Sequence, residues 1–276
     1  MTVGICGLGL IGGSMAKAYK EAGHTVLGYD INEATLGYAA LAGITDGVLD
    51  SATVPSCDLI FIGLYPQKAV EYLKEIAPLI GKDTFVIDLC GTKKQICDHG
   101  FALAEKHGFT FVGGHPMAGT QYSGIKYAKA TLFKNAPMVL VPPIFDDISF
   151  IDHVRRLLSP AGFGKFSVTT AEAHDKMIAF TSQLAHLVSN AYVKSPSARG
   201  HKGFSAGSYK DMTRVAWLNE NMWTELFLEN KEPLLFELDQ IISSLEEYRE
   251  AIAQDDADSL RSLLRDGRIA KEEIDG

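Results

Sequence analysis

A glycine-rich segment near the N terminus, GLGLIGGS, constrains the fold of this chain more than any other feature. It follows a run with β character, TVGIC, and opens a run with helical spacing, so Gly7, Gly9 and Gly12 lie in a strand–turn–helix unit. In such a unit the first glycine permits a tight turn, the second lets a pyrophosphate approach the backbone, and the third lets the helix pack closely on the strand. The turn is therefore predicted to bind a dinucleotide through Gly7, Leu8, Gly9, Leu10, Ile11 and Gly12.

An acidic residue at the end of the next strand supports this prediction. Asp30 follows Gly7 at close to the roughly 20 residues that separate such glycines from the carboxylate that binds an NAD ribose. A carboxylate there would repel the 2′-phosphate of NADP, and no arginine follows in DINEATLGY, so NAD is the predicted cofactor. An alternative, compatible with this role, is that Asp30 caps the helix that begins near Glu33.

Alternating β-rich and helix-like runs extend to about residue 168. Continuous apolar strands separated by helices are typical of a parallel sheet that is covered on both faces. After Thr170 the β-branched runs end, and long stretches with helical periodicity take over. The predicted fold class is α/β, with a Rossmann-type doubly wound parallel sheet in residues 1–169 that binds NAD, followed by an all-helical C-terminal domain in residues 170–276. Residues 195–209 lack periodicity and are expected to form an unusually long loop.

Composition places the chain among ordinary globular proteins and excludes several classes of function. Its 276 residues are 46% hydrophobic and 22% charged, and the net charge of -8 lacks the basic balance of a nucleic-acid-binding protein. The apolar N terminus has no basic flank and is broken by glycines, which argues against a signal peptide, and no apolar run reaches the length of a membrane span. The four cysteines have no metal-like spacing, so no metal is predicted. We expect a cytoplasmic protein with reduced cysteines and a small-molecule partner.

One histidine, His115, lies in the segment GGHPMAGT among residues with small side chains, which leave room for a ligand or for another backbone. It follows the β run FTFVGG, and doubly wound sheets bind ligands at the carboxyl ends of their strands, the same edge as the glycine-rich turn. Because imidazole titrates near neutral pH, His115 is the candidate acid or base that takes a proton from an alcohol as hydride leaves. The alternative is that His115 only caps a turn set by Pro116.

Three polar residues are predicted to share one face of the helix after Thr170. Asp175, Ser182 and His186 are spaced by seven and four residues. Ser182 and His186 would lie about 6 Å apart along the axis and could contact one small ligand, whereas Asp175 would lie about 16 Å from His186. Asp175 is therefore predicted to be a gate or an interdomain partner. The alternative for His186 is a buried core histidine.

A basic stretch follows that helix in an otherwise acidic chain. Five basic residues stand against one acid, Asp211. This local excess of positive charge favours an anionic substrate, and Arg214 is the candidate for a bidentate carboxylate contact. The alternative is a solvated basic loop. The basic residues are Lys194, Arg199, Lys202, Lys210 and Arg214.

Several motifs together resemble the prephenate dehydrogenase family, which includes the arogenate dehydrogenases, and the resemblance covers nearly the whole chain. It rests on the motifs GLGLIGGS, DLCGTKK, GGHPMAGT, AHDKMIAFTSQLAH and YKDMTRVAW. It implies a Rossmann-type N-terminal domain, a helical C-terminal dimerisation domain that pairs into a homodimer, and an active site between them. The implied reaction is the NAD-dependent oxidative decarboxylation of prephenate to 4-hydroxyphenylpyruvate in tyrosine synthesis.

The resemblance also implies a role for each candidate residue. His115 would bind and deprotonate the 4-hydroxyl of prephenate, and Arg214 would bind its ring carboxylate. Ser182 and His186 would face the substrate and the nicotinamide. The residues implied for substrate binding or for gating, where the two aspartates would form an ionic network, are Thr92, Thr120, Gln121, Asp175, Lys210 and Asp211.

Three positions depart from the pattern of this family. Gly91 stands where a serine hydroxyl is expected beside the substrate hydroxyl, and the neighbouring Thr92 points elsewhere if the strand register is kept. Gln183 departs from the family pattern Ser-His-Leu-Pro-His, and Gln121 stands where some members have glutamate. The alternatives are an arogenate dehydrogenase, and a sensor that binds NAD without catalysis, which Gly91 and Gln183 would favour. A reductase of β-hydroxy acids or imines would instead place a lysine or an aspartate at the centre of the interdomain helix.

Overall fold

The structure is a computed structural model, and it describes residues 1–120 and 122–275. Gln121, which the resemblance implies at the gate, lies outside the described residues. The strands are β1 (Thr2–Cys6), β2 (Thr25–Tyr29), β3 (Gly47–Val48), β4 (Leu59–Ile62), β5 (Phe85–Asp88), β6 (Thr110–Pro116), β7 (Pro137–Val141) and β8 (Lys165–Val168). The α-helices are α1 (Leu10–Glu21), α2 (Glu33–Leu41), α3 (Pro66–Ile76), α4 (Lys94–His107), α5 (Ile148–Leu157), α6 (Ala171–Ile178), α7 (Ala185–Tyr192), α8 (Gly207–Thr213), α9 (Glu220–Glu229), α10 (Lys231–Ala253) and α11 (Ala257–Asp275).

The strands form one sheet in the order β3-β2-β1-β4-β5-β6-β7-β8. Neighbouring strands are parallel except for β6 and β7. The strand order reverses at β1, which lies between β2 and β4, and doubly wound sheets bind ligands in the crevice at this point. The predicted α/β class with a Rossmann-type sheet is confirmed.

One strand pair departs from the expected all-parallel sheet. β6 and β7 run in opposite directions, with Gly113 opposite Val141 and Pro116 opposite Met138. A parallel return needs a crossover, usually a helix, whereas the described part of residues 117–136 contains a short 3-10 turn, Ile125–Tyr127. The apolar run PMVLVPP indicates a strand but carries no signal for its direction.

Apolar residues cover both faces of the sheet. Consecutive strand residues point to opposite faces, and in β4 Leu59 and Phe61 join one buried cluster while Ile60 and Ile62 join the other. Burial on both faces explains why the strands appear in the sequence as continuous apolar runs. All four cysteines lie among the described residues, and each is buried as a free thiol.

The chain after β8 is helical, as predicted, and a third buried cluster holds its helices together. The segment expected as one regular helix is interrupted, because a π-helical turn, Ala179–Leu184, separates α6 from α7. Residues 195–209 are more regular than expected, since they include a 3-10 helix, Pro196–Gly200, and the start of α8. Among residues 1–120 and 122–275, no helix combines the length and the apolar character needed to cross a bilayer.

Candidate active site

The glycine-rich turn joins β1 to α1 at the carboxyl edge of the sheet. Gly7 has a φ of 85°, and a Cβ there would lie 2.6 Å from the carbonyl oxygen of Gly63. A Cβ at Gly12 would lie 1.9 Å from the carbonyl oxygen of Gly7, so both positions require glycine. By contrast, a Cβ at Gly9 would meet no described atom within 4 Å, and no described side chain caps α1. The open backbone at Gly9 and the free N–H groups of the first helical turn fit a pyrophosphate.

Asp30 holds this turn against the end of β2. Its Oδ2 accepts a hydrogen bond from Leu8 N at 2.9 Å, and its Oδ1 accepts one from Asn32 N at 2.9 Å. The side chain of Asn32 caps α2 by accepting from Ala34 N and Thr35 N. The alternative prediction that Asp30 caps this helix is therefore wrong. Asp30 is partly exposed, and each carboxylate oxygen keeps a lone pair for a ribose hydroxyl.

His115 lies at the carboxyl end of β6 and is partly exposed. Its Nδ1 lies 2.9 Å from Nε2 of His174 in α6, and the ring centroids are 5.1 Å apart. Burial lowers the pKa of His115 well below its usual value, and His174 and the Lys93 ammonium lower it further. His115 is therefore neutral at neutral pH and available to accept a proton. This arrangement favours the candidate base over a residue that only caps the turn at Pro116.

The glycines that precede His115 make room for protein rather than for a ligand. A Cβ at Gly113 would lie 2.5 Å from Sγ of Cys97, and one at Gly114 would lie 2.6 Å from the carbonyl oxygen of Asp88. These two residues therefore let β6 approach β5 and α4 closely. After His115, a Cβ at Gly119 would meet no described atom within 4 Å, so the open space lies on that side of the motif.

A buried ion pair lies next to the backbone of β6. The Lys93 ammonium donates to the Asp88 carboxylate, and both side chains are fully buried. Lys93 also donates to the carbonyl of Gly114 at 2.7 Å, while Asp88 Oδ1 accepts from Gly114 N at 3.1 Å. Burial alone would lower the Lys93 pKa, but the Asp88 carboxylate together with Cys90 and Cys97 outweighs it, and the pKa is raised. The pair therefore fixes the residue before His115 and places positive charge near its ring.

Asp175 joins α6 to the start of α4. Its Oδ1 accepts from Lys93 N at 2.7 Å, and its Oδ2 accepts from Lys94 N at 2.8 Å. Oδ1 also lies 2.7 Å from Nδ1 of His174. This buried, fully engaged carboxylate supports the interdomain role rather than the gate. No hydrogen bond or ion pair among the described residues links it directly to the exposed Asp211, and the ionic network implied for the two aspartates stays a prediction.

The π-helical turn carries Ser182 and precedes His186. The Ser182 carbonyl accepts a hydrogen bond from Nδ1 of His186 at 2.8 Å, which leaves Nε2 as an acceptor in the neutral ring. The ring packs on Trp223 of α9 with the centroids 4.1 Å apart. Burial, together with the nearby Arg214, lowers the His186 pKa. A π turn takes more residues per turn than an α turn, so the regular spacing on which the shared face of Asp175 and Ser182 was predicted is interrupted here.

The two threonines implied for substrate binding have local partners. Thr92 is buried, and its Oγ1 donates to Oε2 of Glu229 in α9 at 2.7 Å. The hydroxyl is therefore engaged by a carboxylate of the helical part of the chain. Thr120 is exposed, and its Oγ1 accepts from Tyr122 N at 3.2 Å.

The candidate cations lie in and directly after α8. Lys210 and Arg214 are exposed, as is Asp211 between them. In the part of the chain that the structure describes, none of the three forms a salt bridge. The positive charge of Arg214 contributes to the lowered pKa of His186. A cation without a salt-bridge partner among the described residues is suited to bind an anionic group.

The departures at Gly91 and Gln183 have structural explanations. A Cβ at Gly91 would lie 3.2 Å from Cδ2 of Leu226, so α9 packs where a serine side chain would project. Gln183 is buried, its Nε2 donates to the Leu226 carbonyl at 3.0 Å, and its Oε1 accepts from Asn230 at 2.8 Å. Both residues therefore serve the contact of α9 and α10 with the rest of the site, and neither indicates a loss of catalysis.

Sequence reasoning missed His174, Lys93 and Trp223. The signal for His174 is its position directly before Asp175, which makes an adjacent pair of polar residues on a helix that is otherwise partly apolar. The signal for Lys93 is weaker, since a lysine near a strand end is usually exposed. Trp223 had no signal beyond its place in an amphipathic helix.

Comparisons with known proteins agree with this geometry. The family description "Prephenate dehydrogenase, nucleotide-binding domain" matches residues 15–166, and "Prephenate dehydrogenase, dimerization domain" matches residues 170–266. The prephenate dehydrogenase of Bacillus subtilis is 30% identical over 285 residues, which cover 100% of this chain and 76% of that protein.

Two crystal structures extend the similarity to the fold. The prephenate dehydrogenase from A. aeolicus in complex with hydroxyphenyl propionate and NAD+ is 29% identical, with a TM-score of 0.83 over 99% of this chain and 98% of that one. Synechocystis arogenate dehydrogenase is 27% identical, with a TM-score of 0.81 over 99% of this chain and 100% of that one. Both domains, the NAD-binding turn and the histidines thus lead to one conclusion: the chain belongs to the prephenate dehydrogenase family of NAD-dependent oxidoreductases.

Proposed function

We propose that this chain converts prephenate to 4-hydroxyphenylpyruvate by NAD-dependent oxidative decarboxylation, a step of tyrosine synthesis in the cytoplasm. The observation that carries the proposal is the state of His115, a neutral imidazole at the carboxyl edge of the sheet whose Nδ1 is occupied by His174. Such a group accepts the proton of an alcohol that is being oxidised. The similar proteins from Bacillus subtilis and A. aeolicus are named for prephenate, which supports this substrate.

The proposed step assigns one proton transfer to His115. Its Nε2 accepts the proton of the substrate 4-hydroxyl as the C4–H bond breaks. NAD+, held by the glycine-rich turn and Asp30, would supply the hydride acceptor. The bond between the ring and its carboxylate breaks, CO2 leaves, and the electron pair completes the aromatic ring. The 4-oxygen takes its proton back from His115, which returns the base to its neutral form. His115 and His186 are both neutral in the resting site, so each offers an acceptor nitrogen rather than a charge.

The charge of the site favours prephenate over arogenate. Prephenate carries two carboxylates, and we assign the ring carboxylate to the planar fork of Arg214, with Lys210 adding positive charge to the same surface. Ser182 in the π-helical turn and His186 in α7 then face the substrate and the nicotinamide. Arogenate has an ammonium group where prephenate has a keto group, and this group would meet unpaired cations. The similarity to Synechocystis arogenate dehydrogenase makes arogenate the second candidate.

Turnover measurements with both substrates test the proposal. Purified protein is assayed with prephenate and with arogenate, each with NAD+ and with NADP+, and the expected best pair is prephenate with NAD+. The Asp30 carboxylate is the reason to expect NAD+ over NADP+. Faster turnover of arogenate would establish the second candidate. Binding of NAD+ without turnover of either substrate would support the NAD-binding sensor.

We propose that the chain forms a homodimer through its helical part. Large apolar side chains are exposed along α10, and their spacing of seven, three and seven residues places them on one side of the helix. The description of residues 170–266 as a dimerization domain supports this assignment. The exposed residues of this stripe are Leu235, Ile242, Leu245 and Ile252.

Charge in this stripe is expected to separate the subunits. In the double variant Ile242→Glu with Leu245→Glu, two carboxylates would be buried at the interface, so the mass in solution should fall to that of one chain. Light scattering after size-exclusion chromatography measures this mass. The matched control is Glu247→Ala on the opposite side of α10, which should stay dimeric. A double variant with unchanged mass would place the interface elsewhere.

A further inference from the structure

We propose that His174 and Asp175 form a positioning relay that keeps the proton of neutral His115 on Nδ1 and leaves Nε2 to accept the substrate proton. The catalytic consequence of this relay rests on the proposed function. The three side chains are joined in series, with 2.9 Å between His115 Nδ1 and His174 Nε2 and 2.7 Å between His174 Nδ1 and Asp175 Oδ1.

The direction of the hydrogen bonds is set at Asp175. Its carboxylate accepts the backbone N–H groups of Lys93 and Lys94, one on each oxygen. An ionised carboxylate only accepts hydrogen bonds, so the contact between Asp175 and His174 requires a proton on Nδ1 of His174.

Because His174 is buried and neutral, its own proton position determines that of His115. His174 is 3% exposed, and burial lowers its pKa despite the hydrogen bond to Asp175, so the ring holds a single proton. With that proton on Nδ1, Nε2 has only a lone pair and must accept. Its partner, Nδ1 of His115, must then donate. A neutral His115 that donates from Nδ1 has its lone pair on Nε2.

The relay also supports His115 after it takes the substrate proton. The positive charge of the Lys93 ammonium disfavours a charged His115. Asp88 forms an ion pair with this ammonium and so reduces the repulsion. The Nδ1–H bond to His174 strengthens when His115 is charged, and Asp175 stabilises the polarised His174 ring. The charged and titratable groups around the relay are Asp88, Cys90, Lys93, Cys97, Asp175 and Glu229.

The relay joins the two parts of the molecule. His115 belongs to the sheet, whereas His174 and Asp175 belong to α6. The Asp175 carboxylate accepts a hydrogen bond from the N-terminal end of α4. Docking of α6 on the sheet therefore also selects the proton position on the base. If His174 served only in packing, an aromatic ring without an acceptor nitrogen would be sufficient at this position.

Two variants separate these roles. His174→Phe keeps a ring but removes the acceptor, whereas His174→Gln keeps an amide oxygen that can accept from Nδ1 of His115. The matched control is His153→Phe, which changes an exposed histidine of α5. Thermal unfolding and NAD+ affinity verify that each variant is folded.

The first readout is independent of turnover. With nitrogen-15-labelled histidine, long-range proton–nitrogen NMR of the whole protein reports which ring nitrogen of His115 bears the proton, and His115→Asn identifies its signals. We expect Nδ1–H in the unmodified protein, in His174→Gln and in His153→Phe, and a shift toward Nε2–H in His174→Phe. A proton on Nε2 of His115 in the unmodified protein overturns the relay, and this result stands even if His174→Phe does not fold.

The second readout is kinetic. His174→Phe should lower kcat at least about tenfold, a part of the roughly 10²- to 10⁴-fold that a positioned base contributes, with KM little changed, and His174→Gln should recover part of it. An unchanged kcat in His174→Phe overturns the positioning role. If the unmodified protein turns over neither prephenate nor arogenate, the proposed function fails while the NMR result still decides the relay.

Discussion

His115→Asn is expected to lower kcat by roughly 10²- to 10⁴-fold at neutral pH, the contribution of a positioned general base. Asparagine is of similar polarity and can keep a hydrogen bond to His174, but no atom of its side chain accepts a proton at this pH. The glycine-rich turn, Asp30 and Arg214 are untouched by the change. KM for prephenate and the affinity for NAD+ should therefore change little, and steady-state kinetics with calorimetric NAD+ titration measure all three quantities.

The control for this prediction is His153→Asn, a change at an exposed histidine of α5 whose ring contacts Phe85. It should leave kcat within twofold of the unmodified protein, roughly the effect of a surface substitution. Near-normal turnover of His115→Asn would remove His115 from the proton transfer, and an equal loss in both variants would indicate a general effect on folding.

The pH dependence of kcat/KM tests the same role of His115 as the base. Burial, His174 and Lys93 all lower the pKa of His115, so its neutral form persists below the usual value of about 6.5. Because protonation removes the base, kcat/KM should fall on the acid side only well below that pH. The same acid limb should be missing from the residual activity of His115→Asn.

Features set by local spacing are predictable from this sequence. The glycine-rich turn and Asp30 lie in one strand–turn–helix–strand unit, and the steric demand at Gly12 comes from Gly7, a near neighbour in the chain. Strand identity is also local, because burial on both faces produces continuous apolar runs. The antiparallel direction of β7 depends on the path of residues 117–136, and composition does not encode that path.

Features that depend on contacts between distant segments are missed. The partner of His115 is His174, which belongs to another element and reaches the ring only after α6 docks on α4. Lys93 is buried because Asp88 and Gly114 surround it, an arrangement that reverses the usual exposure of lysine. The π-helical turn between α6 and α7 interrupts the regular helix, and helical periodicity does not reveal it.

Arg214→Gln is expected to raise KM for prephenate by roughly 10- to 100-fold, with a smaller change in kcat. A hydrogen bond to a charged group contributes about 1.5–3 kcal/mol, and the planar guanidinium can bind a carboxylate through two such bonds. This contact forms in the ground state as well as in the transition state, so its loss should appear mainly in KM. Arg214 is exposed and, among the described residues, lies in no salt bridge, so its removal should leave the free energy of unfolding nearly unchanged.

Two further variants separate geometry from charge. Arg214→Lys keeps the positive charge but loses the fork, so its KM should lie between those of the unmodified protein and Arg214→Gln. Arg199→Gln removes a cation from the same basic stretch, in the 3-10 helix Pro196–Gly200, and should change KM much less. Equal increases in KM for Arg199→Gln and Arg214→Gln would mean that the substrate responds to the overall charge of the stretch, and an unchanged KM in Arg214→Gln would remove this residue from the site. A large effect at Arg214 alone would assign the substrate carboxylate to its guanidinium.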